Sequence, residues 1–186
     1  MKKFLKVIGI IFLVLIVLGI IGALLPDDES AETSSEQSGI SALNDKSKWK
    51  YSHSINEMDN VRTDFAELDA ENKLEFEFPY NGGSTFTFVV RKTNGKYTLL
   101  LIVDKGQFMS NVLGDERLRI KFDDGETFQW NYTDTNDGRS NIIFPTYTDE
   151  FLTALKKSKS MLIEAPFAFA GRQVIRFKTE NLNADF

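Results

Sequence analysis

Two kinds of apolar pattern divide the chain. From Val7 to Leu25 it is uncharged without a break, whereas from about Ser47 onward apolar residues alternate with polar ones. The first run is 19 residues long, close to the ~20 that a helix needs to cross the hydrocarbon of a bilayer. No face of it is polar, so it does not read as an amphipathic core helix. Lys2, Lys3 and Lys6 precede the run, and Asp27, Asp28, Glu29, Glu32 and Glu36 follow it. That asymmetry predicts a cytoplasmic N-terminus and export of everything past Pro26. A cleaved signal peptide would have a shorter apolar core ending in a small-x-small site. Gly22-Ala23-Leu24-Leu25-Pro26 offers none, so the pattern favours an uncleaved signal anchor.

Residues 26–46 are rich in Ser, Glu and Asp and almost devoid of large apolar side chains. Such a stretch cannot bury enough surface to offset its ordering entropy, so it reads as a disordered tether. The remainder, 47–186, carries the strand signals. Leu74, Phe76 and Phe78 alternate with charge, as do Leu118, Ile120 and Phe122; Phe86 and Phe88 repeat the spacing. Tyr97 to Val103 is a denser run, suited to a central strand buried on both faces. Shorter candidates lie at 49–54, 126–130, 141–144, 161–164 and 174–177. Asn81-Gly82-Gly83, Asn94-Gly95, Asp123-Asp124-Gly125 and Asn136-Asp137-Gly138 fall between them and supply the positive φ of tight turns. Asp149 to Lys157 predicts one helix, with Thr148 as N-cap and Lys156 and Lys157 at its negative end. Residues 57–68 read as a loop or a weak helical segment. The predicted fold is mostly β, an antiparallel β-sandwich with one short helix, preceded by a transmembrane helix and a flexible linker.

Charge and composition then narrow the function. With 22 basic and 27 acidic residues and a net charge of −5, the chain lacks the basic excess of a nucleic-acid binder. Having no cysteine, it can hold no disulfide, thiolate metal site or cysteine nucleophile. His53 is the only histidine, so a zinc site would have to rely on carboxylates, and nothing around His53 resembles a catalytic triad. In Asp134-Thr135-Asn136-Asp137-Gly138 a calcium loop would put Thr133 first and Phe144 twelfth, neither a useful ligand; a hairpin tip is the better reading. Asp123, Asp124 and Glu126 are likewise explained by a turn, and Asp115 and Glu116 by a solvated loop. A glycoside hydrolase would need two carboxylates across a cleft, for which Asp59, Asp104, Asp123 and Asp124 are the candidates. No catalytic residue, metal or cofactor is predicted.

The 16 phenylalanines need a core or a contact surface. Phe76, Phe78, Phe86 and Phe88 alternate and are expected in the core. Pro79, Tyr80, Phe108, Met109, Phe167 and Phe169 sit at element ends, where core is the better reading for most and Tyr80, Phe108 and Phe167 are the candidates for an exposed binding patch.

Several stretches carry a family likeness: Trp49 and Tyr51; Glu57-Met58-Asp59-Asn60; Gly106-Gln107-Phe108; Arg117 to Asp123; Phe151 to Lys157; Leu162-Ile163-Glu164; Arg176-Phe177; and Asn181-Leu182. Together they resemble small exported bacterial β domains, the type VI secretion-associated accessory proteins and the invasion-associated locus B group. The resemblance implies a secreted or envelope location and a β architecture, and it supplies no functional residue. The cysteines of those proteins are missing here, and the anchor is an addition. The expected function is therefore a membrane-anchored extracytoplasmic binding or accessory module whose partner is an envelope protein or glycan. An immunity or superinfection-exclusion factor is the alternative, and a carboxylate hydrolase ranks below both.

Overall fold

A computed structural model describes residues 47–111, 114 and 116–183. The expected anchor at 7–25, the tether at 26–46, Asp115 and Phe186 lie outside these residues. Among the described residues no helix is long and apolar enough to cross a membrane.

Among the described residues ten strands form two antiparallel sheets, with one short helix. In chain order they are β1 (Lys50–Asn56), β2 (Val61–Asp69), β3 (Phe86–Thr93), β4 (Lys96–Val103), β5 (Leu118–Phe122), β6 (Thr127–Trp130), β7 (Tyr132–Asp134), β8 (Ile142–Pro145), α1 (Thr148–Leu155), β9 (Met161–Phe167) and β10 (Gly171–Phe177). The larger sheet runs β1-β2-β3-β4-β8-β7 and the smaller β10-β9-β5-β6. The chain passes between the sheets at Asn131, where β6 gives way to β7. This is the sandwich-like architecture that the alternation predicts.

Pairing follows the side-chain pattern. β3 and β4 meet through the Asn94-Gly95 turn, with both residues at positive φ and Thr93 opposite Lys96. Along β4, Leu99, Leu101 and Val103 point into the core, while its other face is only half-buried; the dense apolar run is central but not covered on both sides. Across the sandwich Phe88 of β3 meets Phe177 of β10. Phe151 of α1 stacks on Phe88 at 5.4 Å and takes Phe122 and Trp130 edge-on. A second aromatic cluster surrounds Phe167. These two clusters absorb most of the buried phenylalanine.

Elsewhere the structure departs locally from the sequence pattern. Residues 61–69 are a strand, because Ala66 and Leu68 are buried between β1 and β3 and cross-strand pairing outweighs their irregular pattern. Residues 73–78 make only an isolated bridge, Leu74 to Ser84. β7 has no sequence signal and exists by pairing with β8. Thr148 lies inside α1, whose N-cap is Tyr147 at φ 50° with no side-chain cap.

Candidate functional site

The bridge at Leu74 sets up the most distinctive surface of the domain. Beyond it Phe76 turns inward to the ring of Phe167, and Pro79 cannot donate to a ladder. The chain instead closes a turn, with the Tyr80 amide donating to the Glu77 carbonyl. Phe78 is thrown outward and stands 88% exposed. Opposite, β9 and β10 are joined by Ala168-Phe169-Ala170, and Phe169 at the tip is 100% exposed. Between Phe78 and Phe169 lies a cleft enclosing about 400 Å³ including its mouth, with Phe76 and Phe167 on its floor and Tyr80 in its wall.

Both walls are held from behind. Gly83 N–H donates to Glu75, Lys105 Nζ donates to the Gly82 carbonyl at 3.0 Å, and Leu74 and Ser84 exchange both backbone bonds. Across the cleft, Ala168 N–H donates to the Gln107 carbonyl and Gln173 Nε2 to the Ala170 carbonyl. Gly106 joins the two: it sits at φ 142°, and an added Cβ would lie 2.9 Å from the Phe76 ring. Only glycine lets that ring pack on the backbone here.

Of the three residues expected to form an exposed patch, Tyr80 lines the cleft as a half-buried wall residue. Phe167 is 1% exposed and Phe108 3% exposed, so neither ring is a surface group. Phe167 contributes the floor, wedged among Phe76, Phe86 and Phe108 at 4.8–5.7 Å, and Phe108 lies behind it. The reason is the Phe108–Phe167 bridge, which draws both residues into the sheet. Phe169 was singled out as an element-end aromatic and does reach solvent. The alternation at 74–78 predicts Phe78 on the core face beside Phe76, yet Phe76 is buried and Phe78 stands in water. The run Phe78-Pro79-Tyr80-Asn81-Gly82-Gly83 carries the signal that the strand ends before it.

The candidate carboxylates hold turns. At Asp123 burial opposes the charge, but N–H groups of Lys159 and Ser160 and the Ser160 hydroxyl outweigh it and keep the carboxyl below its ordinary range. At Asp104 burial is likewise outweighed, by the amides of Thr85 and Lys105 and the Lys105 charge. Asp59 accepts from Val61 N–H, and Asp137 pairs with Arg139. Among the described residues no group of three or more His, Asp or Glu is placed to hold a metal ion. His53 stands in the exposed strand β1.

No family model matches the chain, and no characterised protein or solved structure is similar enough to count as a match.

Proposed function

We propose that this chain is a membrane-anchored binding module of the bacterial cell envelope. In this reading its 7–25 helix leaves the N-terminus in the cytoplasm and its β domain outside, where the cleft receives an apolar segment of another envelope protein. The resemblance to exported β domains belongs to the same reading, as does action without catalysis.

One observation carries it: two phenylalanines stand in water on either side of an aromatic-floored cleft. Leaving a phenylalanine exposed forgoes about 1.5–3 kcal/mol of burial, and exposed apolar surface beside a cleft marks interaction sites. The lining favours a protein over a glycan. It is mainly apolar, with Phe76, Phe78, Pro79, Phe167 and Phe169 outnumbering the polar side chains Glu77, Tyr80 and Gln107, and such a surface suits an apolar peptide segment.

The test is affinity isolation of full-length chain from detergent-solubilised envelopes, with Phe78→Ser/Phe169→Ser in parallel. A specific partner retained by the natural sequence and lost by about 10- to 100-fold in the double variant supports the reading, since 1.4 kcal/mol is tenfold. A partner retained equally by both overturns it.

A further inference from the structure

The four edges of the two sheets are treated unequally. On β10, Asn72 caps the open side: its Nδ2 donates to the Val174 carbonyl at 2.9 Å and its Oδ1 accepts Arg176 N–H at 2.8 Å. Glu71 N–H adds a bond to the Arg176 carbonyl. On β7, only three residues long, Asn111 Nδ2 takes the Tyr132 carbonyl and Asp134 is occupied by Ser110 and Asn111. β6 has four residues and bends at once into the other sheet. β1 differs from all three. It has seven residues, all exposed, paired without a bulge to β2 on one side only. Natural sheets shorten, bulge, charge or cover such an edge; among the described residues no strand pairs with the outer side of β1, and the Asn183 amide reaches it at the Tyr51 hydroxyl.

We propose that β1 is a self-association edge, through which two copies of this chain join their six-stranded sheets. Facing residues of an antiparallel pair point to the same side of a sheet, so a two-fold axis must pass between identical residues. Centring it on His53 pairs all seven residues, whereas the next allowed centres, Ser52 or Ser54, pair five. Lys50 then faces Asn56 of the second copy, Ser52 faces Ser54, and Tyr51 faces Ile55, an aromatic against a β-branched residue. The charges suit a second copy. Tyr51 to Ile55 carries no Asp, Glu, Lys or Arg. Lys48 and Lys50 flank one end and Glu57 and Asp59 the other, so reversal brings unlike ends together. Lys48 and Lys50 keep their exposed bonds to Glu71 and Asp69 within each copy, and no charge needs burying.

The chain has no cysteine, so single introduced thiols report the geometry directly. Full-length His53→Cys, Ser52→Cys, Ser54→Cys and Lys96→Cys proteins are embedded in membranes, mildly oxidised and resolved without reductant. Facing Cα atoms in a ladder are about 4.5–5.5 Å apart, within disulfide reach, whereas diagonal positions at about 7–8 Å exceed it. His53→Cys should give a covalent homodimer in about tenfold excess over Lys96→Cys, which lies on the β3–β4 hairpin. Ser52→Cys and Ser54→Cys should cross-link well only when mixed. Circular dichroism confirms that each exposed-strand variant is folded. Absence of a His53→Cys dimer, equal yields from Lys96→Cys, a best yield from Ser52→Cys or Ser54→Cys alone, or cross-linking only to another protein would each overturn the proposal.

Discussion

Replacing Phe169 with asparagine should stabilise the domain, although it removes a large apolar side chain. Phe169 is fully exposed and has φ 65°. The left-handed region costs an L-residue about 1–2 kcal/mol, and asparagine adopts it more readily because its short polar side chain bonds locally. Full exposure means no packing is lost. The net expectation for Phe169→Asn is a gain of about 0.5–1.5 kcal/mol, read as a rise in melting temperature of roughly 2–5 °C for a domain of this size. Phe169→Gly relieves the same strain but adds unfolded-state entropy of about 0.5–1 kcal/mol, so it should be nearly neutral. Phe169→Ala keeps the strain and should also be neutral. Thermal and urea unfolding of the four proteins measures the series. Destabilisation of Phe169→Asn by 1 kcal/mol or more, or equal stabilisation by Phe169→Ala, would refute the reasoning. The first would mean that the ring is packed, the second that backbone conformation is not the cause. A ring kept in a costly conformation with no packing of its own is what a contact residue looks like.

Phe167→Ala should cost about 3–5 kcal/mol, because its ring touches three others, whereas Phe78→Ser should stay within about 0.5 kcal/mol; urea unfolding separates floor from rim. Asn72→Ala removes both caps from β10 and should cost about 1–2 kcal/mol, with faster hydrogen exchange at the Arg176 amide. Asp123 and Asp104 titrate below the ordinary 3.8 in the folded protein. They therefore add stability that is fully present above that value and is lost as pH falls through it toward the depressed folded values. The urea midpoint should decline below about pH 4. Asp123→Ala should lower the midpoint at pH 7 and make the acid decline shallower.

How much of this was legible in the sequence depended on where each signal lives. Strict alternation at 118–122 and the Asn94-Gly95 turn are local instructions, and the structure follows them. β2 and β7 depend on partner strands outside their own residues: Ala66 and Leu68 become strand residues because β1 and β3 flank them, and β7 because β8 pairs with it. The site shows the same division. Tyr80, Phe167 and Phe169 could be singled out as aromatics at element ends. Whether each ring faces water is decided by long-range pairing, which takes Phe108 and Phe167 inside. At Phe78 the local spacing matches Phe76, but Pro79 and the turn closed by the Tyr80 amide on the Glu77 carbonyl take the ring out of register.

The most direct test of the cleft as a binding site is photocross-linking in living cells from a benzoylphenylalanine placed at Phe78, compared with one at Asn94 on the β3–β4 hairpin. The account predicts one discrete envelope-protein adduct from position 78, abolished by Phe169→Ser in the same chain, and none from position 94. No adduct from position 78, or the same adduct from both positions, would contradict it.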